Sequence, residues 1–256
     1  MTSVHRQHGS APAAVSVVVP TYNERERLGD LVGAVFEVFR RHAIDGELVV
    51  VDDNSPDGTG RLADELGSRY RLRVVHRSGK LGLGTAVIAG FREASSPIVG
   101  VMDADLSHPP ALLAPMCRLF DDPVVDFVIG SRYIPGGGTK NWEFSRVLLS
   151  RVACWLARPV TPVHDATSGY FLLRRQIASG VQIQAGGFKI CLELLVRGQA
   201  NCVVEVPYVF TGRTAGESKM NAREASGYAR QLWDLFRYRL TSAGHRPSRK
   251  YRVVSA

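Results

Sequence analysis

The chain has 256 residues, 45% hydrophobic and 22% charged, as in an ordinary globular protein with one large domain or two small ones. Its formal net charge of +8 points to an anionic partner: nucleic acid, a phosphorylated ligand or an acidic membrane surface. Cys117, Cys154, Cys191 and Cys202 are widely spaced with no C-x-x-C pair, which excludes a zinc ribbon or a disulfide framework and fits a reducing compartment.

Residues 1–13 read as a disordered tail without the apolar core of a signal peptide. Val15–Val19 is a buried strand ended by Pro20-Thr-Tyr-Asn-Glu24, and Leu28, Leu31, Val32, Val35, Phe36 and Phe39 then recur at helical spacing to about His42. Leu48–Val51 is a second apolar strand, ended by Asp52-Asp53-Asn54-Ser55-Pro56-Asp57-Gly58, with Thr59 placed to cap the next helix. Leu72–Val75 is a third strand, and Ser78–Gly84 leads into a helix ending near Ala94. Ile98–Met102 is a fourth strand, a helix follows over Pro110–Phe120, and Asp126–Ile129 is a fifth strand. In the less regular second half, Trp142–Arg158 and Ala222–Leu240 are helices in which aromatic and aliphatic residues alternate with arginines. Short strands at Leu172–Leu173 and Val203–Val206 and a helix over Phe188–Val196 lie between them. No run approaches the roughly 18 apolar residues of a membrane span, so the expectation is a cytoplasmic chain lying on the cytoplasmic face of a membrane.

Strands apolar throughout, alternating with amphipathic helices, predict an α/β fold: a mainly parallel sheet with helices on both faces. Such sheets bind ligands beyond the carboxyl ends of their strands. Pro20–Glu24, Asp52–Asp57, Ser78–Gly84, Asp103–Ser107 and Ser131–Tyr133 all fall at those ends. The most pointed cluster is Asp103-Ala104-Asp105, because residues i and i+2 of an extended segment share a side. Two neighbouring carboxylates repel unless a cation joins them, and a hard divalent ion is the natural one. A solvated turn is the plainer reading of an isolated Asp-x-Asp. Gly79–Gly84 lacks the order of a P-loop, and its glycines read as a tight strand-to-helix turn with Lys80 near a phosphate. Asp53 reads equally as an acceptor for a base or ribose and as part of a capped turn, and His108 and His164 read as bystanders.

Val19-Pro-Thr-Tyr-Asn-Glu24, Val51-Asp-Asp-Asn-Ser-Pro-Asp-Gly-Thr59, Lys80-Leu-Gly-Leu-Gly84 and Met102-Asp-Ala-Asp-Leu-Ser-His-Pro-Pro110 resemble polyprenyl-phosphate (dolichyl-phosphate) mannose synthases. So do Gly130–Tyr133, Thr167–Gly169, Gly187–Glu193 and Gly216–Met220, and the resemblance runs in order from about Val15 to Met220. It implies a GT-A fold over residues 14–221, with residues 222–256 as a basic amphipathic helix and tail that associates with a membrane. It further implies an inverting transfer of sugar, mannose from GDP-mannose first, to a polyprenyl phosphate, with Mg²⁺ or Mn²⁺. Pro20, Tyr22, Glu24, Val51 and Asp53 would surround the nucleoside, and Asp103, Ala104 and Asp105 the metal-bound diphosphate. Arg132, Lys189, Arg213 and Lys219 would meet phosphates, with Arg146 and Ser150 on the acceptor side. Many relatives carry Gln where this chain has Ser107, so the metal set reads Asp103, Asp105 and Ser107. Partners implied are the nucleotide sugar, the lipid phosphate, a membrane surface and a membrane-spanning protein, with no nucleic acid.

A phosphate acceptor is already a dianion near neutral pH and needs cations to position it. A hydroxyl acceptor requires a carboxylate base, for which Asp165 is the candidate. The rivals are transfer of glucose or another sugar from a UDP-sugar, a basic nucleic-acid-binding protein, and a non-catalytic adaptor. Pro135–Thr139 and Thr211–Gly216 read as mobile loops that exclude water.

Overall fold

The computed structural model describes residues 14–179, 181, 189–198, 200–212, 222–241 and 250–254. The first half alternates strand and helix as the apolar pattern requires: β1 (Val15–Thr21), α1 (Arg25–Arg41), β2 (Gly46–Asp52), α2 (Thr59–Gly67), β3 (Leu72–His76), α3 (Leu83–Glu93) and β4 (Ile98–Val101). A short helix α4 (Leu113–Arg118), flanked by 3₁₀ turns at Pro110–Leu112 and Leu119–Asp121, leads to β5 (Phe127–Ser131) and the three-residue β6 (Gly138–Lys140). Then come α5 (Phe144–Leu156), β7 (Phe171–Arg174), α6 (Arg175–Ala178), α7 (Ile190–Arg197), β8 (Cys202–Pro207), β9 (Val209–Thr211), α8 (Ala222–Thr241) and β10 (Lys250–Val253).

Eight strands form one sheet in the order β10-β8-β5-β7-β4-β1-β2-β3, and β6 and β9 form a separate parallel pair. All pairings in the large sheet are parallel except those of β7, which runs antiparallel between β4 and β5. Because side chains alternate across a strand, Val15, Val17 and Val19 pack on the α1 side with Leu28, Leu31, Val32 and Val35, while Val18 packs on the other side with Val49, Val51 and Ala86 of α3. Both faces of β1 and β2 are therefore covered, which is why those strands are apolar at nearly every position. The carboxyl tips of β1, β2, β3, β4 and β5 consequently share one edge of the sheet.

Several expectations change here. Thr59 does not cap α2: Gly58, in the left-handed region at φ +86°, is the N-cap residue, and the Thr59 hydroxyl instead accepts the Glu24 N–H at 3.0 Å. Pro135–Thr139 is not a free loop, because β6 begins at Gly138 and pairs with β9, while Gly138 N–H also bonds Tyr208 O. Of Thr211–Gly216, Thr211 ends β9 and the stretch beyond Gly212 lies outside the described residues. The expected appendage over 222–256 contains a strand of the main sheet, since β10 pairs in parallel with β8. α8 itself rests on α7 and the end of α5, through Leu235, Leu232 and Tyr228 against Leu192, Val196 and Ala157.

α3 crosses β1 so closely that a Cβ at Gly90 would collide with the Val18 side chain. Val18 is β-branched and fully buried, so it has no rotamer in which to retreat. Gly90→Ala should therefore lower the unfolding free energy by about 1–3 kcal/mol despite alanine's better helix propensity, as read by urea denaturation. An unchanged or higher midpoint would contradict the packing described.

Candidate active site

The first wall of the site comes from the β1 and β2 tips, which hold each other. Thr21 Oγ1 donates to Asp52 Oδ1 at 3.1 Å, and Asp52 also accepts the Ser55 N–H at 3.0 Å and the Ser55 hydroxyl at 2.5 Å. The Ser55 hydroxyl in turn accepts the Asn23 N–H, and Asp57 accepts the Arg25 N–H while closing its own turn on Thr59. Asn23 and Asn54 both sit at left-handed φ, +60° and +57°, which short amide side chains tolerate. Asp52 is thus committed to structure, and the neighbouring carboxylate, Asp53, is buried beside it. Val51 has no accessible surface and packs among Val18, Val49 and Ala86, so its side chain is not part of the cleft wall.

Arg77, at the tip of β3, belongs to none of the sequence motifs. Its buried guanidinium lies 2.8 Å from Asp53 Oδ1 and donates to Thr85 Oγ1 at 2.6 Å, joining β2, β3 and the start of α3. Burial pushes the Asp53 carboxyl above its ordinary value, and Arg77 pulls against that shift. The turn into α3 depends on Gly82, whose φ of +97° a side chain would oppose. Lys80, expected near a phosphate, stands 4.3 Å from the ring centre of the half-exposed Tyr22 in a cation–π contact. Pro20 closes β1 opposite Val51, and Glu24 begins α1.

At the tip of β4 the two aspartates are held by different devices. Asp105 is buried, and its Oδ1 accepts both the Ser107 N–H (3.0 Å) and the Ser107 hydroxyl (2.5 Å) across Leu106, a bulky residue at φ +62°. Ser107 therefore serves as the clamp on Asp105, with its hydroxyl proton directed to that carboxylate. Arg27 of α1 holds the Asp105 carbonyl at 3.2 Å. Ala104 turns into the core, as the alternation requires, and Asp103 keeps 40% of its side chain exposed. The Asp103 N–H is donated to Nδ1 of His108, a ring buried among Tyr170, Tyr208 and Phe210, and that burial pushes its pKa down. Two hard carboxylates, Asp103 partly open and Asp105 held by Ser107, fit a hard divalent cation. Among the described residues no third His, Cys, Asp or Glu joins them, so such an ion would keep positions for water and phosphate oxygens.

The β5 tip supplies the cationic wall. Arg132 and Asp165 are both buried and form a bidentate pair: Nε to Oδ2 and Nη2 to Oδ1, each at 2.7 Å. The Arg132 backbone N–H also donates to Asp165 Oδ2, and Nη2 donates to Thr167 Oγ1. Burial opposes the guanidinium charge, but Asp165 outweighs it and holds Arg132 firmly protonated. Arg132 lies under the rings of Tyr133, Trp142 and Phe210, at 5.1, 5.4 and 5.9 Å. The loop carrying Asp165 is pinned by Glu205, which accepts the backbone N–H of both His164 and Asp165. In Thr167-Ser168-Gly169, Ser168 donates to Gly130 O at 2.7 Å, and a side chain at Gly169 would press on His108 and Asp103.

Lys189, at the head of α7, is close enough to Arg132, Asp103 and Asp165 to feel their charges, and burial, then Arg132, push its pKa down. Gln231 of α8 brackets its backbone, accepting from N–H and donating to the carbonyl. On α5, Arg146 stacks on Trp142 at 4.1 Å, and Ser150 lies beside the Tyr133 hydroxyl. Trp142 itself meets Gly212, where a Cβ would come within 2.7 Å of its ring. Arg213 and Lys219 lie outside the described residues. The structure thus brings together Asp103, Lys189, Arg132 and Asp165 in one group, Tyr22, Lys80, Asp53 and Arg77 in a second, and Arg146, Ser150, Trp142 and Tyr133 in a third. Trp142 and Arg77 leave little trace in the sequence because each acts through a distant segment. A basic residue at the tip of β3, in register with the other polar tips, is the one signal available for Arg77.

Residues 16–193 match the model of glycosyl transferase family 2. The chain is 41% identical over 228 residues to a dolichol-phosphate mannosyltransferase of Pyrococcus furiosus, covering 88% of this chain and 64% of that protein. It is 43% identical over 242 residues to a polyprenol monophosphomannose synthase of Mycolicibacterium smegmatis, covering 85% and 88% of the two. The chain spans less than two thirds of the archaeal relative and most of the mycobacterial one. Among solved structures, glucosyl-3-phosphoglycerate synthase of Mycobacterium tuberculosis with UDP superposes with a TM-score of 0.64 at 20% identity, over 93% of this chain and 87% of that one. A mannosyltransferase from Pyrobaculum calidifontis, solved with GDP-Man and Mn²⁺, gives 0.61 at 21% identity over 93% and 68%. Those likenesses carry the fold, GT-A. By the family match and the two relatives together, the chain belongs to glycosyl transferase family 2, in its polyprenyl-phosphate mannose synthase branch.

Proposed function

We propose that the chain transfers mannose from GDP-mannose to a polyprenyl phosphate, with inversion, while lying against a membrane surface. The observation that carries this reading is the state of Asp165. A hydroxyl acceptor would require a carboxylate base, yet Asp165 takes its hydrogen bonds from Arg132 Nε, Nη2 and N–H, and Cys154 Sγ lies 3.7 Å away. A phosphate acceptor, with a second pKa of about 6, carries its own negative charge at neutral pH and needs only a cationic seat. Arg132, Lys189 and Arg146 supply one, enclosed by Tyr133 and Trp142. The names of the two relatives support the same acceptor and sugar.

On this reading Tyr22, Asp53, Pro20 and Glu24 seat the nucleoside. Asp103 and Asp105 hold Mg²⁺ or Mn²⁺, which when bound neutralises charge gathering on the departing diphosphate. Arg213 and Lys219 add positive charge to the same group. The acceptor oxygen, oriented by Arg132, Arg146 and Ser150, attacks the anomeric carbon opposite the diphosphate, and the bond to the diphosphate breaks. Trp142, Phe210 and the paired β6 and β9 wall the attack site from water, which would otherwise hydrolyse the donor.

The lipid side follows from α5 and α8. In α5 only Cys154 is buried, while Phe144 (80%), Trp155 (70%), Leu148, Leu149, Val152 and Leu156 are exposed. Trp233, Phe236 and Leu240 of α8 are exposed as well, and the Tyr228 hydroxyl donates to Ala153 O, so the two helices touch. Arginines 151, 158, 230 and 237 lie exposed among these apolar residues. That is the composition of a surface pressed into a bilayer with arginines at lipid phosphates. Among the described residues no helix is long and apolar enough to cross a membrane.

Purified protein given labelled GDP-mannose, polyprenyl phosphate and Mg²⁺ or Mn²⁺ should move label into the organic phase, more than with UDP-sugars. Asp105→Ala should abolish that transfer with the far-UV spectrum unchanged, and near-normal activity would sink the metal assignment. Asp165→Ala should destabilise the protein by about 3–5 kcal/mol, because it strands a buried guanidinium, whereas a carboxylate serving as base would be lost at little cost in stability. Arg230→Glu with Arg237→Glu should weaken binding to anionic liposomes at low salt. Equal binding of both forms would remove α8 from the membrane face.

A further inference from the structure

The proposed transfer uses His108 neither as acid nor as base, yet the ring is constrained on every side. It stacks on Tyr170 with centroids 4.9 Å apart and planes 19° off parallel, and it meets Tyr208 and Phe210 edge-on at 5.8 and 5.5 Å. Its Nδ1 accepts the Asp103 N–H at 3.1 Å, and its Nε2 lies 3.7 Å from Asp103 Oδ2. One ring therefore holds the Asp103 backbone through Nδ1 and sets its other nitrogen beside the carboxylate.

The position of this grip along the chain matters. The Met102 N–H still bonds across the sheet to Val18 O at 3.1 Å. Asp103 is the next residue, and its N–H goes to His108 in place of a neighbouring strand. A phenylalanine at 108 would satisfy all three aromatic contacts and leave that part-buried N–H without its acceptor. The aromatic contacts also continue: Phe210 meets Trp142 at 5.1 Å, and Trp142 lies against Arg132 and Arg146.

We propose that His108 is a positioning residue of the donor site: it sets where the sheet ends and fixes Asp103 in the orientation that the donor diphosphate requires. The claim rests on the reading of Asp103 as a donor-site carboxylate. Three substitutions separate the nitrogen from the ring. Asparagine places an amide oxygen where Nδ1 lies, glutamine places its amide near Nε2, and phenylalanine keeps only the ring.

The readouts are hydrogen exchange at the Asp103 amide and calorimetric binding of GDP with Mn²⁺. In H108F and H108Q the amide should exchange faster and GDP·Mn²⁺ should bind about tenfold more weakly, whereas H108N should restore binding to within about threefold of the parent. The proposal is overturned if H108F binds as tightly as the parent, or if folded H108N binds as weakly as H108F. Should H108F fail to fold, H108Q takes its place against H108N, and equally weak binding by those two overturns the proposal. If the parent binds neither GDP nor UDP with Mn²⁺, the donor reading falls, and exchange alone decides for His108: an unchanged Asp103 amide in H108F or H108Q overturns the grip, and faster exchange reversed in H108N supports it.

Discussion

Arg132 and Asp165 form a buried ion pair at the tip of β5, and much of the site is arranged to make that pair tolerable. Removing two charges from water costs several kcal/mol each, and the attraction repays it only with near-ideal geometry and every remaining hydrogen-bonding group satisfied. The geometric condition is met. The contact is bidentate, the Arg132 backbone adds a third bond, and Thr167 takes another guanidinium proton. Glu205 then fixes the loop that delivers Asp165, and the rings of Tyr133, Trp142 and Phe210 close over the guanidinium. The consequence is a positive charge whose position is set before any anion arrives, so little reorganisation is needed when one does.

The opposite wall uses backbone strain to the same end. Asn23, Asn54 and Leu106 take left-handed φ at the tips of β1, β2 and β4. Asparagine accepts that conformation easily, whereas leucine does so at a cost of order 1–3 kcal/mol. The cost at Leu106 is offset by what it permits: Ser107 folds back to place two donors on one oxygen of Asp105. Asp103 is held from the other side by His108. The two aspartates are thus held through separate partners, Asp105 by Ser107 and the Asp103 backbone by His108.

How much of this is legible in the sequence depends on contact range. The strands β1 to β5, the helices between them and the polar clusters at their tips follow from apolar periodicity and short motifs, because each is encoded within about ten residues. Asp53, Asp103, Asp105 and Arg132 are marked in that way. The role of His108 is not, because the aromatic box that defines it gathers Tyr170, Tyr208 and Phe210 from segments 60 to 100 residues downstream. Thr59 has the right residue type for a cap, but Glu24 N–H of another loop claims its hydroxyl, and Gly58 takes the cap position. The Val51 side chain is buried like the rest of β2, because both faces of that strand are covered. The glycines of Pro135–Thr139 suggest mobility, whereas they allow β6 to lie against Tyr208 and β9.

α5 presents a problem of economy that the proposed acceptor would resolve. A helix of 13 residues with one buried side chain gains little from the core, and its exposed apolar residues would favour aggregation in an isolated soluble protein. Yet the same helix carries Arg146 against Trp142 and Ser150 against Tyr133, on the side that faces the cationic wall. A polyprenyl phosphate has the same division, with a dianion at one end and a long hydrocarbon at the other. Its phosphate must stay at the level of the lipid headgroups unless the whole tail is extracted. On the proposed reading, a helix lying in the plane of the interface, apolar residues down and arginines level with the headgroups, would bring the cleft to that depth. The exposed apolar face and the phosphate-binding side then become two halves of one requirement, and a charged substitution at Trp155 should impair transfer to a membrane-embedded acceptor far more than to a short-chain, water-soluble one.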